Sequence, residues 1–128
     1  LGGSMTVAGP ITVYGGDITT NTDLTTTASS ANISLIASGS IIETGSALIT
    51  MTTGSSGNVL LSADSNGSSS GRIAYSDGLT INSNNGNITI AGGNAAGSGY
   101  AIGTNAAFSG IRLNGGLILN SLTFFITC

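Results

Sequence analysis

The chain contains no lysine, histidine, tryptophan or glutamine. Each absence removes a class of function. Without histidine there is no histidine-based catalytic triad, and zinc loses its commonest nitrogen ligand. Arg72 and Arg112 are the only basic side chains. They make no patch for phosphate backbones or anionic lipid, so nucleic acid is excluded as a partner. The one cysteine, Cys128, is the last residue and has no internal partner for a disulfide. That position also excludes a cysteine-protease arrangement and leaves the thiol free, cross-linking or simply at the end of an excerpt. No apolar run approaches the roughly 20 residues that a membrane-spanning helix needs, so no membrane span is expected. The opening stretch LGGSMTVAG lacks the basic and apolar regions of a secretory signal. It begins with Leu rather than Met and reads as a mature segment or an excerpt of something longer.

What remains is 128 residues, enough for one ordinary domain. Gly, Ser, Thr and Asn make up more than half of them. Such a composition suggests a linker or disorder, but disorder also needs low hydrophobicity and high net charge. Here hydrophobic residues are 40%, the mean hydropathy is +0.39 and the formal charge is −3. The apolar residues also recur in order. Pairs at i and i+2 are Ile11/Val13, Ile33/Leu35, Ile49/Met51, Val59/Leu61, Leu79/Ile81, Ile88/Ile90, Ile111/Leu113 and Leu117/Leu119. Period 2 is the signature of a strand with one face inward. Each run is short and is stopped by Gly, Asn, Ser or Asp, the residues that make turns. Helix signals are nearly absent.

Five strand openings align: GPITVYGG from Gly9, ANISLIAS from Ala31, GNVLLSAD from Gly57, GNITIAGG from Gly86 and SGIRLNGG from Ser109. Their first apolar residues, Ile11, Ile33, Val59, Ile88 and Ile111, are 22, 26, 29 and 23 residues apart by subtraction. Each interval holds two further strand-like pieces, such as ITT and LTTT in the first. Three short strands per repeat predict a parallel β-helix, a solenoid of about five three-strand coils, each strand pairing with its counterpart one coil above. Five coils at about 4.8 Å each give a prism about 24 Å tall. The predicted core ladder is Ile11, Val13, Ile33, Leu35, Val59, Leu61, Ile88, Ile90, Ile111 and Leu113. Bulky aromatics fit such an interior poorly, and the chain has three Tyr and three Phe. An antiparallel β-sandwich also has short strands and frequent turns, but it favours longer strands and larger core residues. The repeat region is expected over 1–120, with an apolar terminal strand or cap over 121–128.

The stretches GLTINSNNGNITIAGG (78–93) and GNVLLSADSNGSSSGRIAYSDG (57–78) resemble the repetitive shaft of filamentous-haemagglutinin-type adhesins. Those large bacterial proteins are exported by two-partner secretion, and autotransporter passengers carry similar repeats. The likeness covers roughly 9–120 and lies in composition and phrasing. It implies a right-handed β-helix, an extracellular or cell-surface location, and an adhesive or scaffolding role toward a host-surface glycan or protein. No NPNG-type motif of the secretion domain is present, so the resemblance implies shaft material.

Catalysis and metal binding find little support. The acids Asp17, Asp23, Glu43, Asp64 and Asp77 lie in unrelated local contexts and never as DxD or DD. A carbohydrate-active β-helix would need clustered carboxylates. Lone acids at turns usually bond their own backbone. Calcium needs six or more oxygens, and a weak site near Asp17 and Asp23 is all the sequence offers. The residues call for no cofactor, no metal and no enzyme activity. A threonine array for ordering water breaks after the early coils, where TIN, TIA and RLN replace T-x-T. The ends of a solenoid, by contrast, expose open strand ladders. Leu122, Phe124, Phe125 and Ile126 would cover such an end or dock onto a further copy of the chain, giving a filament.

Overall fold

The computed structural model describes residues 1–68, 70–93 and 110–126. Fourteen strands lie among them, and no helix. They are β1 (Met5–Val7), β2 (Ile11–Gly15), β3 (Ile18–Thr20), β4 (Leu24–Thr26), β5 (Ile33–Ala37), β6 (Ile41–Glu43) and β7 (Ile49–Thr52), followed by β8 (Val59–Ala63), β9 (Ile73–Tyr75), β10 (Leu79–Asn82), β11 (Asn87–Gly92), β12 (Ile111–Leu113), β13 (Leu117–Asn120) and β14 (Thr123–Ile126). Every third strand joins the same sheet. The first sheet runs β1-β4-β7-β10-β13, the second β2-β5-β8-β11-β14 and the third β3-β6-β9-β12. All pairings are parallel. This is the three-strand parallel β-helix that the repeats predict, with β1–β3 as coil 1 and β13–β14 opening coil 5. Among the described residues no helix is long and apolar enough to cross a membrane.

The inner side chains form continuous columns. In the second sheet Ile11, Ile33, Val59 and Ile88 stack in register, as do Val13, Leu35, Leu61 and Ile90. In the first sheet Ile49, Leu79 and Leu117 align, beside Met51, Ile81 and Leu119. Alternate residues are buried from β3 to β11 because period 2 turns every second side chain inward. Full burial of one such Ile or Leu contributes about 1.5–3 kcal/mol. A single short strand lacks neighbours to supply that burial, and coils above and below provide them.

Two expectations change. Ile111 and Leu113 leave the second-sheet ladder: they sit on β12 in the third sheet, where Ile111 aligns with Ile73 and Leu113 with Tyr75. The rung above Ile88 and Ile90 is Phe124 and Ile126 of β14. That last repeat therefore spans 36 residues, 124 minus 88. The physical reason is that apolar residues at i and i+2 look alike on all three faces, so period alone does not assign a strand to a face. The second difference is Tyr75, which is fully buried in the interior. It shares the third sheet's inner column with slim Thr20, whose hydroxyl donates to the Tyr75 hydroxyl at 3.3 Å.

Pro10 opens the strand at the lower edge of the second sheet. Ile11 N–H already bonds upward to Asn32 O at 2.9 Å. A proline here removes a donor only from the open edge, where no ladder bond is lost.

Candidate functional site

The chemistry of this molecule lies at its corners, its outer faces and its upper end. The corner between the first and second sheets is the most regular. It starts with an inner hydroxyl, Thr26, Thr53 or Ser83, each buried at the end of its strand. Each donates across the turn: Thr26 to Ala31 O at 2.8 Å, Thr53 to Gly57 O at 3.0 Å and Ser83 to Gly86 O at 2.7 Å. The turn then needs a left-handed residue, supplied by Ser30, Ser56 and Asn85 at φ 60°, 59° and 73°. It ends on asparagine. Asn32 Oδ1 accepts from Asn58 N at 2.8 Å, and Asn58 Oδ1 accepts from Asn87 N at 2.8 Å. This asparagine ladder stops at coil 5, where Thr123 aligns with Asn87.

Four of the five acids have a bond that accounts for them structurally. Asp17 Oδ1 accepts from Ser40 N at 2.7 Å and Asp23 Oδ1 from Thr50 N at 2.8 Å. Asp64, at φ 53°, accepts from the Ser68 hydroxyl at 2.8 Å. Glu43 holds two amides: Oε2 accepts from Ser76 N at 2.5 Å and Asp77 N at 2.9 Å, while buried Oε1 has no partner among the described residues. Beside it, burial pushes the Tyr75 phenol up to about 12; the Thr20 bond lowers it and the nearby Glu43 charge raises it further. Among the described residues no three of His, Cys, Asp and Glu come together as a metal site.

The outer face of the first sheet carries Thr6, Thr25 and Thr52 in one column, continued by Asn82 and Asn120. A second column runs Thr50, Thr80, Ile118. The hydroxyl array thus breaks at Asn82 and at Ile118. The upper end differs from the rest of the surface. Leu122, Phe124, Phe125 and Ile126, predicted as an end interface, are 74%, 40%, 55% and 38% exposed, and Ile118 is exposed beside them. In the coils below, the positions aligned with Phe125 include Thr89 and Leu60, both half-buried.

The sequence pairs did not point to the asparagine ladder or the buried hydroxyls. The signal for both was present as a recurring hydroxyl residue four to six positions before Asn-Ile or Asn-Val. No protein-family model, curated protein or solved structure matches the chain.

Proposed function

We propose that this chain is a non-enzymatic extracellular solenoid, shaft material of a large bacterial surface adhesin. Its role is structural and adhesive, toward a host-surface glycan or protein. The observation that supports this best is how the polar side chains are spent. Carboxylates at the corners hold backbone amides of the next coil, and the outer faces present neutral hydroxyls and carboxamides on a flat parallel lattice. Such a surface suits many weak hydrogen bonds to a partner rather than acid–base chemistry. The test is attachment: beads coated with the purified chain should bind animal cells in excess of albumin-coated beads. Equal binding of the two would sink the adhesive reading.

A second reading has its own observation. The apolar side chains of the last coil favour a subunit that stacks end to end into a filament. Electron microscopy separates the two. Continuous fibres support stacking, and monodisperse short rods reject it.

A further inference from the structure

The corner between the first and second sheets narrows upward. From the inner hydroxyl to the ladder position it takes 6 residues in coil 2 (Thr26 to Asn32), 5 in coil 3 (Thr53 to Asn58) and 4 in coil 4 (Ser83 to Asn87), by subtraction. In coil 5 it takes 2, from Ser121 to Thr123. The last corner therefore falls short of the one beneath it. The step leaves an open cleft of about 460 Å³, lined by Ser55, Asn84, Asn85, Leu119, Asn120 and Ser121, of which Leu119 and Ser121 are half-buried and the others exposed. That volume is within the range of small-molecule sites.

Three features define the lining. Asn84 and Asn85 are consecutive left-handed residues, at φ 45° and 73°; among the described residues the other adjacent pair with positive φ is Gly115 and Gly116. Asparagine adopts this backbone more readily than most residues with a side chain, and the double turn sets both carboxamides at the corner. Two carboxamides are fixed in place: Asn84 Nδ2 donates to Thr53 O, and Asn120 Nδ2 donates to Asn82 Oδ1 at 2.6 Å. Each keeps its own Oδ1 as an acceptor. The side chains of Ser55, Asn85 and Ser121 make no hydrogen bond to the described residues. They supply donors and acceptors at short range. Among the described residues no charged side chain lines the step, and Leu119 gives it one apolar wall.

We infer that this stepped corner is a binding site for a neutral polyhydroxylated ligand, a sugar residue of a glycan. Sugar hydroxyls donate and accept together, which matches carboxamides and serines. The apolar C–H side of a pyranose matches Leu119. An anionic ligand would find no cation here, and a cation would find no carboxylate. The biological meaning rests on the adhesive reading above, but the binding itself does not.

The test is an amide-resolved NMR titration of the full chain with lactose, cellobiose and N,N′-diacetylchitobiose, each separately. At least one sugar should give saturable shifts confined to Asn84, Asn85, Asn120 and Ser121. Asn85→Gly keeps the left-handed backbone and should weaken that binding about tenfold. Inserting Ser-Gly between Ser121 and Leu122 lengthens the last corner and should abolish it, with circular dichroism unchanged. If Asn85→Gly is poorly folded, Ser121→Ala replaces it with the same expectation. No shifts with any of the three sugars, shifts spread over the outer faces, or full affinity in the variants would overturn the assignment. Sugar binding without cell attachment would leave the site standing and remove the adhesive reading alone.

Discussion

Tyr75 and Glu43 show how a narrow interior accommodates polar groups. The Tyr75 phenol is fully buried, so its ionisation is resisted up to about 12 against an ordinary value of 10.0. Above pH 10 an unfolded chain sheds this proton and the folded chain keeps it. The stability is therefore complete below pH 10 and is lost as pH rises through 12, at about 1.4 kcal/mol per pH unit. Denaturant melts between pH 9 and 12 should show that slope, and Tyr75→Phe should flatten it. Glu43 acts through its shape and charge together: one oxygen holds two amides that open the turn of the next coil. Glu43→Ala should cost about 1–2 kcal/mol, because those amides sit at an exposed turn where water replaces part of the bond. Urea unfolding measures it. Neither role was legible in the sequence. A lone Glu43 in IIETG looks like a surface acid, and only the stacking of Thr20, Glu43 and Tyr75 on one inner column reveals the polar strip.

At the scale of elements, the strands were legible and their faces were not. Ile33/Leu35 and Ile88/Ile90 carry a strong alternating signal, and they do stack. Ile111/Leu113 carries the same signal and belongs to another sheet. What marks a face is the corner that precedes the strand, and corner chemistry is written in small polar residues that look interchangeable. Two substitutions test this. Asn58→Ala removes the acceptor for Asn87 N and should cost about 1 kcal/mol, while Asn58→Asp should retain most of it. Gly86→Ala should be worse, since its Cβ would lie 2.0 Å from Gly57 O, a backbone atom that cannot swing aside. About 1–3 kcal/mol or more is expected. Gly16→Ala, with nothing within 4 Å of its Cβ, serves as the neutral control. Chemical denaturation of the set, run side by side, ranks them.

For the whole molecule, the two ends are unlike. Below, Pro10 withholds a donor, and Asn21 N–H bonds Leu1 O at 3.2 Å, drawing the first residues beneath the third sheet. Above, Ile118, Leu122 and Phe125 stand exposed. The apolar tail was visible in SLTFFITC as a departure from the repeats. Its place as a true rung was not, because Thr123–Ile126 is reached only after 36 residues. Self-association through this end should rise with concentration in sedimentation experiments. The double change Leu122→Ser with Phe125→Ser should suppress it without lowering the melting temperature by more than a few degrees. Association unchanged by those substitutions would place the contact elsewhere.

Five carboxylate and carboxamide bonds between coils share a direction. Asp17, Asp23, Asn32, Glu43 and Asn58 each offer an oxygen to a backbone N–H of the coil above. A finished coil thus acts as a template whose acceptors are already in place when the next stretch of chain arrives. The reverse order would ask mobile side chains to find amides that are already fixed. A polypeptide delivered amino end first through a narrow opening can then be laid down course by course, like brickwork. Each course would hold before the next is threaded, and no late-arriving segment would be needed to close the structure.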